Sequence, residues 1–429
     1  MMIHLSAKTL NVLNLVIKVI YLREIEYNER ANIMGIKKVQ KIVNDELFEW
    51  IRDIRRHIHQ WPEVAYKEEK TSEYISGILK KLNIRHKRGV AETGIVARLI
   101  TDESAPTVAL RADMDALPIT ENTGLPFASQ NSGVMHACGH DGHVAMMLGA
   151  ARLLKENPPE GNAVFLFQPA EEGDGGAKPM IEQGALDGVD MIFGGHIERH
   201  HEVGEIGIKT GIHTSFTDAF EIRITGRGGH AARPHEAIDA VIVGSQFVTS
   251  LQTIISREID PLHPAVLTIG YFRSGTVFNV IAEKAVLKGT IRTTDEAIRT
   301  QIIDKVKKLA LSLAALFDAE IKVVLKPGYP PVINEDSSCD LARIVSEKLL
   351  GKDRTLALPY PSLGGEDFAY FLHQVPGCFI RLGGGKGGHE KIASHSPAFD
   401  FDEEVLRVGA AYFSELVRHV IKKLKKKSK

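Results

Sequence analysis

Several short runs place cysteine, histidine and paired acids where a metal ion could be held. Met135-His136-Ala137-Cys138-Gly139-His140-Asp141-Gly142-His143 sets a thiol and an imidazole two residues apart, with a glycine between them. That spacing lets a thiolate and a ring nitrogen approach one cation, because glycine permits the backbone turn. Gln168-Pro169-Ala170-Glu171-Glu172-Gly173 follows an apolar run. Adjacent carboxylates repel unless a cation or proton lies between them, so one can bind metal while its neighbour stays free as a base. Gly194-Gly195-His196 and Ser394-His395-Ser396-Pro397 each bring a further imidazole, and Arg111-Ala112-Asp113-Met114-Asp115 ends in two acids. Taken singly, each has an ordinary explanation: His196 as a hydrogen-bonded turn residue, Glu171-Glu172 as a solvated loop, Cys138 as a small buried hydrophobe. Taken together, Glu172, His196 and His395 would complete, with Cys138 and His140, two coordination spheres around a pair of ions. Two cations about 3.5–4 Å apart can hold both an attacking oxygen and a developing oxyanion.

These residues need strands to bring them together. Leu47, Trp50, Ile51, Ile54 and Ile58 recur at a helical period, which predicts a helix starting near Asn44 and ending before Pro62. Thr107–Asp113, Asn162–Gln168 and Met191–Gly195 read as buried strands, separated by helix signals of which His143–Glu156 is the clearest. Alternating strands and helices predict a mostly parallel sheet covered on both faces. In such sheets ligands gather beyond the carboxyl ends of the strands.

Between 214 and 325 the pattern changes. Asp218–Thr225, Ala265–Phe272, Lys284–Arg292 and Ile321–Leu325 read as strands, and Ala237–Ser256 and Asp295–Phe317 as helices. The order β-α-β-β-α-β is that of a ferredoxin-like module. Pro327, Pro330 and Pro331 mark its exit, and Cys378–Leu382 with the helix from Asp402 returns to the first sheet. The expected fold class is α/β: a mixed, mostly parallel sheet domain with an inserted ferredoxin-like (α+β) domain. The expected divisions are an extension over 1–33, a first domain over 34–213, the insertion over 214–325, and the first domain again over 326–429.

Length and composition agree. The chain's 429 residues allow about two or three domains. A composition 44% hydrophobic and 25% charged excludes a disordered, collagenous or multi-span membrane chain. With 53 basic and 54 acidic side chains the net charge is -1, so no global field draws in nucleic acid. Three cysteines form no disulfide framework, which points to a reducing, cytoplasmic interior. The apolar stretch Thr9–Ile17 is too short to span a bilayer. Residues 1–33 read as a dispensable extension or a start placed too early, with Met34 as initiator. The lysine-rich end, Lys422 to Lys429, reads as a solvated helix terminus.

The runs Arg55-Arg56-His57-Ile58-His59-Gln60-Trp61-Pro62-Glu63, Arg111 to Pro118, His136 to His143, Phe167 to Gly173, Gly228 to His235 and Gly364 to Phe368 resemble the aminoacylase/carboxypeptidase family of dinuclear metal amidohydrolases. More narrowly they resemble its branch with hippurate hydrolases, auxin-conjugate amidohydrolases and thermostable carboxypeptidases. The resemblance runs from about residue 45 to 420. It implies Cys138, His140, Glu172, His196 and His395 as metal ligands, with Cys138 bridging, and a metal-activated water deprotonated by Glu171 as general base. It implies that the insertion is a lid and dimerisation domain whose His230 reaches an active site to bond the oxyanion, in a homodimer. Asp115 is the acid expected to support a ligand. Asp141 could be a ligand or a support. Asn279 and Arg292 are candidates for the substrate carboxylate, which suits an arginine's fork. Many relatives carry a tryptophan-proline pair after the His196-type ligand; here Ile197-Glu198-Arg199-His200-His201 stands instead, which bears on the pocket wall.

The resemblance implies cleavage of the amide between an acyl group, or a peptide, and a C-terminal free amino acid. The alternatives are a dipeptidase or aminopeptidase-like activity on free-amino peptides, or a non-catalytic amino-acid or metal binder on the same scaffold. A thiolate with imidazoles favours zinc, while the carboxylates also admit manganese, cobalt or nickel. No nucleic-acid or membrane partner is expected.

Overall fold

The computed structural model describes residues 35–386 and 392–427. Residues 1–33 and Met34, and the last two residues of the lysine-rich end, lie outside the described residues. Contacts divide the chain into two units. One holds the chain to Lys209, Glu335–Leu358 and Gln374 onward; the other holds Thr210–Asn334 and Pro359–His373.

In the first unit, Asn44 caps the helix Asp45–Gln60 by accepting from the Leu47 N–H at 2.9 Å, and the helix buries Leu47, Ile51, Ile54 and Ile58. Eight strands form one sheet in the order Arg85–Val90, Gly94–Leu99, Asn162–Gln168, Thr107–Asp113, Met191–Glu202, Gly377–Gly385, Ile206–Ile208, Thr355–Ala357. The four central strands run parallel. Thr107–Asp113 and Asn162–Gln168 are buried at every residue, as strands covered on both faces must be. The helices His140–Glu156 and Glu404–Lys427 pack together over this sheet, and Ile51, Val144, Leu148, Phe165, Phe193 and Tyr412 share its core.

Of the elements that run further than the sequence predicts, two bear on the candidate site. The strand from Met191 continues past Gly195 to Glu202, because Gly377–Gly385 pairs with it as far as Gly385 opposite Glu202. The helix expected from His143 begins at His140, so that part of the candidate metal-binding run is itself its first turn.

In the second unit, the strands Phe216–Thr225, Ala265–Ser274, Lys284–Thr293 and Glu320–Lys326 form an antiparallel sheet in the spatial order second, third, first, fourth. The helices Ala240–Thr253 and Glu296–Phe317 pack on it around Phe220, Leu287, Phe247 and Val306. Asp295 caps the longer helix, accepting from the N–H groups of Ala297 and Ile298. This is the ferredoxin-like arrangement.

Candidate metal centre

The candidate residues of the first unit meet where the parallel strands end. Asp113 closes its strand and Asp115 follows it; Glu171 and Glu172 stand just beyond Asn162–Gln168. Cys138 precedes, and His140 opens, the helix His140–Glu156; His196 lies within Met191–Glu202; His395 lies in the loop before the last helix. Gly139, between Cys138 and His140, has φ of 106°, a conformation that L side chains avoid. Ala170 (φ 56°) and His395 (φ 66°) adopt left-handed conformations without being glycine. Such strain persists only where surrounding structure enforces it.

Two ligand sets overlap. Cys138, His140 and His196 offer donor atoms within 4.8 Å of one another, and so do Cys138, Glu172 and His395. The thiol belongs to both, which suits a bridging thiolate. His196 Nε2 stands 3.1 Å from Cys138 Sγ, while its Nδ1–H donates to the Ile197 carbonyl at 2.7 Å. His140 places Nδ1 3.0 Å from the Asp115 carbonyl and 3.2 Å from Asp115 Oδ1, which turns Nε2 inward. Asp115 Oδ2 accepts from the Glu172 N–H at 2.9 Å, so one acid orients two candidate ligands.

Two of the inward atoms have no hydrogen bond of their own. His140 Nε2 and Glu172 Oε1 are buried without one, although His395 Nε2 lies within 3.0 Å of that oxygen. Buried polar atoms rarely stay unsatisfied. Here they converge as ligands around cations do, and the residues fit a pair of divalent ions. Burial, with the charge of Arg381, holds the pKa of His196 well below its usual value, so the ring is neutral as a ligand must be. Without a cation, Cys138 and Glu172 draw a proton onto His395 and raise it to about 10.

Asp141 faces away from this cluster. Its Oδ2 accepts from Arg55 Nε at 2.8 Å and lies 2.8 Å from His59 Nδ1, so it ties two helices together and joins no ligand set among the described residues. Cys339 and Cys378 are buried free thiols 3.5 Å apart.

In the second unit, His230 pairs with Val280, and Asn279 accepts from the Ala231 N–H at 3.2 Å, so these two candidates are neighbours. Arg292 stands opposite Thr217, its Nε donating to Thr290 Oγ1 at 3.1 Å, and burial lowers its pKa. It lies eight residues along its strand from Lys284, roughly 26 Å from the end nearest Asn279.

Sequence reasoning passed over Glu68. Its buried carboxylate accepts from the Thr93 hydroxyl at 2.7 Å and from the Ala170 N–H at 2.9 Å. It thereby holds the left-handed residue that aims Glu171 and Glu172. Burial, opposed by these bonds, raises Glu68 from 4.5 to about 7. A carboxyl raised by folding stabilises the fold below its unfolded pKa, and that contribution is lost as pH climbs through the folded value. Each pH unit is worth about 1.4 kcal/mol. Glutamine can replace both bonds, accepting from Ala170 and donating to Thr93. Wild type should therefore lose about 3 kcal/mol relative to Glu68→Gln between about pH 4.5 and pH 8. Urea melts across that range check it, and a difference independent of pH would show that Glu68 does not titrate there.

A centre of this kind at the strand ends of such a sheet defines a class: a dinuclear, metal-dependent amidohydrolase. The chain belongs to the peptidase family M20/M25/M40, whose family model matches residues 109–419. It is 41% identical over 401 residues to an N-acetyl-L-cysteine deacetylase of Bacillus subtilis (strain 168), covering 92% of this chain and 94% of that one. It is 41% identical over 384 residues to thermostable carboxypeptidase 1 of Saccharolobus solfataricus, covering 87% and 96%. Among solved structures, a dinuclear metal binding peptidase of this family from Bacillus subtilis superposes with a TM-score of 0.75 at 34% identity, covering 88% of this chain and 99% of that one. No helix among the described residues is long and apolar enough to cross a membrane.

Proposed function

We propose that the protein hydrolyses the amide joining an acyl group, or a peptide, to a C-terminal free amino acid. The observation that carries this is the glutamate pair beyond Asn162–Gln168: Glu172 lies in a ligand set with Cys138 and His395, and Glu171 stands beside it at the cluster. The named relatives support the choice of bond, since a deacetylase of N-acetyl-L-cysteine and a carboxypeptidase both free an amino acid from an amide.

When bound, two divalent cations polarise the scissile carbonyl and lower the pKa of water. Cys138, His140, Glu172, His196 and His395 would hold them. Glu171 takes the proton of the attacking water and returns it to the leaving amine. Asp115 keeps His140 and Glu172 in place, and His230 is assigned the hydrogen bond to the oxyanion. Zinc suits the thiolate and imidazoles best. Free thiols at all three cysteines accord with a cytoplasmic setting.

We assign Asn279 and Arg292 to the substrate carboxylate. Their separation within one chain supports a site completed by two copies, as in a homodimer. The edge strand Ala265–Ser274 offers such a face, with Val266, Tyr271 and Phe272 exposed and Phe272 lying against a helix that exposes Val241 and Ile242.

The test is a substrate panel on chelated protein reloaded with zinc, manganese, cobalt or nickel. N-acetyl, N-benzoyl and N-carbobenzoxy amino acids should release free amino acid faster than free dipeptides do. If no metal restores cleavage of any N-acyl amino acid, the proposal fails.

A further inference from the structure

Asp113 and His143 sit beside the ligand cluster, and with His140 they too offer three atoms within 4.8 Å. Their polar atoms are engaged within the protein. Asp113 Oδ2 accepts from Arg111 Nη1 at 2.5 Å, and its Oδ1 is 2.6 Å from His143 Nδ1. His143 Nε2 is 2.9 Å from the Ile197 backbone nitrogen. An amide N–H can only donate, so Nε2 must be the bare nitrogen and Nδ1 must carry the proton given to Asp113.

Ile197 is then gripped on both sides. Its N–H is held by His143, and its carbonyl receives the Nδ1–H of His196. Its side chain is 1% exposed and packs on Gly139, inside the turn between Cys138 and His140. The line of bonds therefore runs from buried Arg111 through Asp113, His143 and Ile197 to the ring whose Nε2 faces Cys138. Arg111 is itself anchored, its Nε donating to Gln168 Oε1 at 2.8 Å at the end of the strand that leads to Glu171.

We propose that His143 is a positioning residue: locked as the Nδ1–H tautomer by Asp113, it holds the Ile197 amide and so sets the direction in which His196 meets a cation. The proposal rests on Cys138, His140 and His196 being ligands. It predicts that a disturbance at His143 weakens that set and spares Cys138, Glu172 and His395. Supporting contacts of this kind change metal affinity roughly 10–100-fold.

Two substitutions separate positioning from bulk. Glutamine places a carbonyl oxygen near the Nε2 position and can still accept from Ile197; asparagine reaches only the Nδ1 position and cannot. Chelated protein is titrated with cobalt(II), with uptake read by elemental analysis and by the thiolate–cobalt and ligand-field absorption bands. Wild type should take up two ions per subunit. His143→Asn should keep one tight site and weaken the other roughly 10–100-fold, with altered ligand-field bands. His143→Gln should stay within a few-fold of wild type. Equal binding by both variants and wild type, or equal loss in both variants, overturns the proposal. Failure of wild type to bind two ions would instead overturn the ligand assignment beneath it.

Wild type alone supplies an independent reading should neither variant fold. In metal-free protein labelled with 15N-histidine, one ring must show a protonated Nδ1, a bare Nε2 and a contact from that ring to the Ile197 amide. A protonated Nε2 in that ring overturns the proposal.

Discussion

Glu171→Gln lowers kcat roughly 10²–10⁴-fold, the usual worth of a positioned general base, and leaves two metal ions bound. The amide of glutamine has nearly the shape of the carboxylate but cannot accept a proton at neutral pH. Each tenfold loss is 1.36 kcal/mol of transition-state stabilisation, so the predicted loss is about 3–5 kcal/mol. Metal content should survive because the two overlapping ligand sets, Cys138 with His140 and His196 and Cys138 with Glu172 and His395, are complete without Glu171, although its carboxylate lies within 4.8 Å of His140 and Glu172. Because the step lost is proton transfer, KM for an N-acyl amino acid should change far less than kcat. The same substitution one residue later should behave differently: Glu172→Gln removes a ligand charge and should cost metal. Elemental analysis beside steady-state kinetics checks the pair. Near-normal turnover by Glu171→Gln would remove the residue from the mechanism.

The contrast between these neighbours is legible in the amino-acid order alone, and so is most of what surrounds them. Thr107–Asp113 and Asn162–Gln168 can be bounded from the sequence because each is built on an apolar run, as a sheet buried on both faces requires. The alternation of Phe216–Thr225 and Lys284–Thr293 marks them as strands in the same way. Departures arise where function or distant pairing overrides local preference. His140 and Gly142 are poor residues with which to open a helix, yet they lie in its first turn, where His140 is held by Asp115 and Asp141 by Arg55 and His59. Glu198, Arg199, His200 and His201 hide the continuation of a strand whose partner lies some 180 residues later. The edge strand Arg85–Val90 is mostly polar and exposed, so nothing in its pattern distinguishes it from a loop. Glu68 carries no signal at all. Its value depends on Ala170, about a hundred residues away, standing in a left-handed conformation that only the folded chain reveals. His143 is visible as part of the histidine-rich run, but a ligand and a residue that steadies a ligand look the same until the partner of each ring nitrogen is known.

Cys138→Ala should abolish binding of both ions, whereas His395→Ala should weaken one. The thiol is common to both ligand sets; His395 belongs to one. Because metal supplies several kcal/mol of transition-state stabilisation, Cys138→Ala should lose at least about a thousandfold in kcat. It should also lose the thermal response to metal. A ligand at about 100 times its Kd stabilises the folded state by about 2.7 kcal/mol, so chelation should lower the Tm of wild type and leave that of Cys138→Ala unmoved. Protons give a second signature. Burial pushes the Cys138 thiol up, Asp113 and Cys138 hold His140 well above its usual value against the effect of burial, and His395 rests at about 10, so near neutral pH all three carry protons that a cation must displace. Affinity should therefore rise with pH, and loading should release roughly three protons per subunit. Calorimetry in buffers of different ionisation enthalpy counts them. In Cys138→Ala any residual uptake should release fewer, and undiminished release there would show that the thiol is not a shared ligand.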